Sequence, residues 1–359
     1  MGRIDCHNTF LQFVRIGIET DKDVSFPEII DWPAIQALAK QQELSAIILD
    51  SFEHLPESLR PPRVMTLQWI GEVLHNYEHR YEFYHKVIGE MAGFYNAHGF
   101  KMMVLKGYAC SLNWPKPEHR PCGDIDIWQF GDYKKADTLV AAEKEIKIDN
   151  SHHHHTVFSW CGISVENHYD FVNVHHHKSN ARLEKMFKEL GQDDTHWVEV
   201  SGERVYLPSP NLHALFLVKH MMAHFAATGI TLRQLLDWAF HVQVYNTEID
   251  WLWLKGVIEE YGMLPAFNIF NGICVEDLGF DASLFPTAQF DPALKERVLN
   301  DILINEFQEK QPKSLLRRLL FKFRRWKANA WKHQLCYNDT MWSAFWSGVW
   351  GHILKPKGI

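Results

Sequence analysis

The stretch Val104-Leu-Lys106-Gly107-Tyr-Ala-Cys-Ser111-Leu-Asn-Trp-Pro, followed after a short polar insert by Arg120-Pro-Cys-Gly-Asp124-Ile-Asp126-Ile-Trp128, decides the fold. An apolar run from Met102 to Leu105 leads into a lysine and a glycine, and Pro115 and Pro117 break the chain before residues that alternate acid and isoleucine. On a strand, side chains two apart share a face and adjacent ones point to opposite faces. Ile125 and Ile127 are therefore expected in a core, with Asp124 and Asp126 together on the other side. Two bare carboxylates at that separation repel, so the pair calls for a divalent cation, and hard oxygen ligands suit Mg²⁺ or Mn²⁺. Gly162-Ile-Ser-Val-Glu166-Asn-His168 repeats the alternation and adds a third acid, enough with the first two to hold two ions.

The succession Leu105-Lys106-Gly107, then Arg120 shortly before Asp124-Ile-Asp126, then Val165-Glu166-Asn-His168, resembles the nucleotidyltransferase fold of the DNA polymerase β superfamily. Its particular wording is similar to a bacterial family of uncharacterised nucleotidyltransferases, over roughly residues 5–260. The resemblance implies an α+β fold, a mixed polymerase β-like sheet flanked by N-terminal and C-terminal helical regions. It implies metal-dependent transfer of a nucleoside monophosphate from an NTP to a hydroxyl or phosphate acceptor, with pyrophosphate leaving. Asp124 and Asp126 would bridge two Mg²⁺ or Mn²⁺ ions and Glu166 would complete the second site. Lys106, Gly107, Ser111 and Arg120 are the nucleotide-binding candidates, with His168 nearer the acceptor. Most of the superfamily follows its glycine with a second glycine or a serine, whereas Tyr108 follows Gly107 here and the interval to Asp124 is longer than usual. Lys106 and Arg120 are expected to take over part of the phosphate contact. Asp126→Asn is expected to abolish turnover and leave the fold intact.

The 359 residues, 46% apolar and 23% charged, suit a folded enzyme-sized protein of one elaborate domain or two. A net charge of −7 argues against a nonspecific nucleic-acid binder, which would be basic. Six cysteines lie far apart with no Cys-x-x-Cys spacing, the N-terminus has no apolar signal core, and no run of 18 apolar residues occurs, so a cytoplasmic location is expected.

Four regions are expected: helices over 1–99, the catalytic α/β core over 100–180, a helical region facing the active site over 181–300, and basic and aromatic helices over 301–359. In the first, Asp31 and Pro33 start a helix that continues from Ala34 to Leu49, and Trp69 to Tyr95 forms another, ended by Gly99. In the second, Asp132 caps a helix to Lys147, and Ser151 to Phe158 is read as a strand that turns at Cys161-Gly162 into the Glu166 strand. That strand would carry His152 to His155, of which alternation lets at most two share a face. With His168 and the run His175 to His177 they suggest a zinc-dependent hydrolase as an alternative, although no His-Glu-x-x-His spacing is present. In the third region His213, His220 and His224 fall seven and four apart on a helix, and Arg233 and Asp237 fall four apart on the next. The resemblance places His220, His224, Arg233 and Asp237 near the acceptor or behind the primary site; an exposed ion pair is the plainer reading of the last two.

From Lys313 to Lys332 eight lysines and arginines occur with no acid, and Leu316, Leu319, Leu320 and Phe323 form a helical stripe. Trp342, Phe345, Trp346 and Trp350 follow. Basic residues beside an apolar stripe suit a helix lying on an anionic membrane, so peripheral contact through 313–353 is one expectation; packing of the stripe on the protein body is the other. A catalytically inactive nucleotide-binding protein on the same fold, and a phosphotransferase attacking the γ-phosphorus, complete the alternatives.

Overall fold

Six short strands form one mixed sheet in the computed structural model, which describes residues 3–20, 26, 27, 29–174, 179–286, 289–309, 311–343 and 346. They are β1 (Met103–Val104), β2 (Ile125–Trp128), β3 (His155–Trp160), β4 (Ile163–His168), β5 (Trp197–Val200) and β6 (Glu203–Tyr206), in the order β3-β4-β2-β1-β6-β5. The β2/β4 and β1/β6 pairs are parallel and the others antiparallel. With the many helices of the chain, this is an α+β fold. By its internal contacts the chain divides into two compact units. One comprises Glu78–Leu217, Glu248–Asp250 and the chain from Asp339, and holds the whole sheet; the other comprises the N-terminal residues to Tyr77, Val218–Thr247 and Trp251–Asn338.

In the sheet unit, alternation sorts the two faces. Ile125, Ile127, Val165 and Phe158 join Val87, Ile88, Met91 and Tyr95 of helix His79–Ala97 and Ala136 and Val140 of helix Tyr133–Lys144 in one buried cluster. Each large aliphatic side chain withdrawn from water there contributes about 1.5–3 kcal/mol. The same face carries a polar clamp: Asn167 Nδ2 and Thr156 Oγ1 donate to the two oxygens of buried Asp137 at 2.9 and 2.8 Å, tying β4 and β3 to the helix beneath. The hairpin at Cys161-Gly162 forms as expected, with both residues at positive φ, 50° and 83°, as a type I′ turn requires.

The structure departs from the sequence reading in several places. Ser151 to Phe158 is not one strand: β3 begins at His155. His154 O accepts from the amides of Tyr169 and Asp170, and His152 O from the Tyr169 hydroxyl, so backbone beyond the end of β4 holds His152 to His154 outside the ladder. The helix expected to Leu49 splits into Trp32–Gln41 and Ser45–Ser51, because Glu43 takes φ 59° and the Gln42 side chain leaves to donate to Ile302 O and Leu303 O. Helices Arg63–Val73 and His79–Ala97 are joined through a π-turn at Leu74–Glu78. Asp132 flanks its helix, but its carboxylate pairs with Lys135 at 2.6 Å instead of capping the backbone.

In the other unit, helix Leu315–Ala328 meets its surroundings through buried Phe321, whose ring lies 5.4 Å from that of Phe307 at a tilt, and through Arg324, which pairs with Glu309 at 2.5 Å. Leu320 and Phe323 are 58% and 47% exposed, so at these two positions the apolar stripe does not pack on the body. Among the described residues no helix is long and apolar enough to cross a membrane.

Glu184, on helix Asn180–Leu190, accepts the amides of Phe171 and Val172 at 2.9 and 3.0 Å. Burial, and then the Asp170 charge opposed by Lys188, pushes its carboxyl up to about 7. An acid with a raised folded pKa favours the fold fully below its unfolded value near 4.5 and loses that contribution as pH rises through about 7. Glu184→Gln is therefore expected to flatten stability over that window and to raise it at pH 8 by on the order of 2 kcal/mol, read from urea midpoints at several pH values. A variant that loses stability at pH 8 would contradict this.

Candidate functional site

β1 ends in a turn that only glycine adopts without strain. Gly107 has φ 58° and ψ −105°, outside the regions open to residues with a Cβ, and such a Cβ would stand 3.5 Å from Asp124 O. Leu105 N donates to Asp126 O, so the turn is fixed to β2 and Lys106 is carried over the sheet. Lys106 Nζ lies 2.8 Å from Asp126 Oδ1.

The remaining groups follow from register. Asp126 faces Glu166 directly across the parallel β2/β4 pair, and His155 faces His168 across β3/β4. Asp126, Glu166, His168 and His155 therefore share the face opposite the apolar cluster, and one ligand atom each from Asp126, Glu166 and His168 lie within 4.8 Å of one another. His168 Nε2 is 3.0 Å from Asp126 Oδ1 and 3.6 Å from Glu166 Oε2, while its Nδ1 faces Asp170 O at 3.2 Å. With oxygens at both ring nitrogens, His168 carries hydrogens on both and is an imidazolium.

The charges interlock. Burial alone would raise the Asp126 carboxyl, which is only 2% exposed, but the Lys106 ammonium and then His168 hold it well below the usual carboxylate range. Burial likewise opposes charge on Lys106 and His168; Asp126 overrides it, raising Lys106 and holding His168 at about 9. Glu166 is lowered against burial by its contact with His168. Burial dominates at His155 and pushes it down to about 4, leaving a neutral ring. Asp124 precedes β2 by one residue and keeps access to solvent, unlike the expected strand position; desolvation of its carboxyl and then the Asp126 charge raise its pKa.

Other candidates shape the loop before Asp124. Arg120 is buried, with Nη1 donating to Pro121 O at 2.9 Å. Ser111 is fully buried and its hydroxyl donates to Tyr108 O at 2.6 Å, a position that braces the turn behind Gly107. Arg80 and Tyr84 escaped the sequence reading: Arg80 Nε donates to Cys122 O at 2.9 Å and the Tyr84 hydroxyl to Gly123 O, so one helical turn grips the backbone that presents Asp124. Arg80 stays exposed at the surface of this loop. Its only sequence signal was an arginine four residues before a tyrosine on a helix, a common spacing.

His220, His224, Arg233 and Asp237 belong to the other unit. The rings of His220 and His224 lie 4.4 Å apart, tilted to one another, on helix Pro210–Ala227. Arg233 pairs with Asp237 at 3.3 Å and with Glu43 at 2.6 Å; Asp237 is buried, which corrects the reading of an exposed pair. The run His175 to His177 lies outside the described residues.

With this geometry in hand, the chain belongs to the uncharacterised nucleotidyltransferase family, whose model matches residues 28–277. Among solved structures it is similar to an antigenic nucleotidyltransferase-like protein from Paracoccidioides brasiliensis, at 12% identity and a TM-score of 0.33, over 49% of this chain and 87% of that one. No curated protein matches.

Proposed function

We propose that the protein is a polymerase β-like nucleotidyltransferase that moves a nucleoside monophosphate from an NTP to a hydroxyl or phosphate acceptor. The observation that carries this reading is the direct opposition of Asp126 and Glu166 across β2/β4 beneath Lys106. Carboxylate oxygens suit hard divalent ions, Mg²⁺ or Mn²⁺; Asp126 and Glu166 converge with His168, and solvent-accessible Asp124, two residues from Asp126, would bring a further carboxylate to the ions. Bound there, such ions supply charge neutralisation and acidify the attacking hydroxyl. The acceptor oxygen bonds to the α-phosphorus as the bond to the bridging oxygen breaks, and pyrophosphate leaves. Lys106 rests on Asp126 and exchanges that carboxylate for triphosphate oxygens when nucleotide enters. His168 holds Asp126 through Nε2, and Arg80 and Tyr84 fix the loop that presents Asp124. Positioning and charge account for the catalysis, with no covalent enzyme intermediate. Calorimetric titration of each NTP with Mg²⁺ is expected to show binding to the wild type that Asp124→Asn loses. Absence of binding for all four would favour an inactive scaffold.

We further propose that helix Leu315–Ala328 rests on anionic lipid. Leu320 and Phe323 are exposed beside Arg317, Arg324 and Lys327, and the rest of this acidic chain would be repelled by such a surface. Sedimentation with phosphatidylserine vesicles is expected, and Leu320→Asp/Phe323→Asp should weaken it at least about tenfold. Equal binding of the double variant, or no sedimentation of the wild type, removes the proposal.

A further inference from the structure

Nucleotidyl transfer gives His168 the task of holding Asp126 and leaves His154 and His155, on the other side of Glu166, without a role. His155 Nε2 stands 3.6 Å from one oxygen of Glu166 and His168 Nε2 stands 3.6 Å from the other. Neither separation is a hydrogen bond. Both are close to the distance between two ligands of one ion, about 3.4 Å when each sits about 2.0–2.1 Å from the ion in a tetrahedral array. His154 joins the two histidines, since one ligand atom each from His154, His155 and His168 lie within 4.8 Å of one another, and Glu166 borders this trio through His155 and His168 while itself grouping with Asp126 and His168. The release of His154 from the β3 ladder makes this possible, because on a regular strand it would face away from His155. The frame is stiff: His155 and His168 are opposed across β3/β4 with rings 5.2 Å apart, and their neighbours Thr156 and Asn167 are clamped to Asp137.

We propose that His154, His155, His168 and Glu166 form a binding site for a borderline transition ion of the Zn²⁺ class, adjoining the hard-ion carboxylates and sharing Glu166 with them. Imidazole nitrogen suits Zn²⁺, Ni²⁺ and Cu²⁺, whereas carboxylate and water suit Mg²⁺ and Mn²⁺, so the two positions differ in kind. The inference deepens the transfer reading by making one of the two expected ions nitrogen-ligated, and rests on that reading only for what the adjoining carboxylates do. Entry of the ion replaces the Nε2 proton of His168, and that proton leaves to solvent.

The test adds Co²⁺, a coloured substitute for Zn²⁺, to the full-length metal-stripped protein. One equivalent is expected to give intense visible d–d bands of a four-coordinate site, and Zn²⁺ to bleach them. His155→Ala and His154→Ala should each weaken binding more than about tenfold, with thermal melts confirming that both fold. His152→Ala should leave it unchanged. A weak octahedral spectrum in the wild type, or affinities that His154→Ala and His155→Ala leave unaltered, would overturn the proposal. Mg²⁺–NTP titrations on the same proteins separate the two readings: bands that persist where no protein binds nucleotide would sink the transfer assignment and keep the metal site.

Discussion

Asp126→Asn is expected to lower turnover at least about a thousandfold, because it removes the carboxylate on which Lys106 and His168 converge and which the proposed mechanism offers to the divalent ions. The structure adds a second effect. Asp126 is the closest anion to a largely buried ammonium and a buried imidazolium, and the neutral amide leaves the ammonium only the weaker influence of Asp124 and Glu166 and the imidazolium the more distant Glu166. Removing one partner of a buried charge cluster costs about 3 kcal/mol or more. The variant should therefore unfold earlier in urea, in contrast to the intact fold that the sequence alone implies. Asp124 has solvent access and acts on Lys106 only as a secondary charge, so Asp124→Asn should lose activity with little change in midpoint. Equal stability losses in the two variants would contradict this division of labour.

Lys332→Met is expected to destabilise the protein by about 3–5 kcal/mol. Lys332 Nζ lies 2.5 Å from Asp301 Oδ2, both side chains are fully buried, and the ammonium also stands 5.2 Å from the Phe225 ring. Methionine keeps most of the volume and removes the charge, leaving a buried carboxylate that still accepts the Glu306 amide through its other oxygen. Asp301→Asn in the same chain removes the uncompensated charge and retains that acceptor, so the double variant should regain much of the loss. Urea midpoints of wild type, both single variants and the double variant complete the cycle. A Lys332→Met midpoint within error of wild type would show that the pair contributes nothing.

The strand that carries Asp126 was legible because acid and isoleucine alternate without interruption, and the apolar members had a core to enter. Glu166 followed by the same rule, and the Cys161-Gly162 turn by the need for positive φ at two successive positions. The orientation of His154 was not legible, since it depends on amides of Tyr169 and Asp170 that meet its carbonyl only after the sheet has formed. Arg80 and Tyr84 act on a loop some forty residues later, and nothing in their local pattern marks a partner there. Lys332 reads in sequence as the last member of a solvated basic run; Asp301, on an earlier helix, takes it into the interior.

Nucleotidyl transfer itself is tested most directly by the fate of two labels. The protein, Mg²⁺ and a fractionated cell extract as acceptor source would be incubated with NTP labelled at either the α- or the γ-phosphate. Incorporation of the α-label into an acceptor, with the γ-label recovered as pyrophosphate and both lost in Asp126→Asn, is the predicted result. Incorporation of the γ-label, with the α-label left in nucleoside diphosphate, would contradict it and make the protein a phosphotransferase.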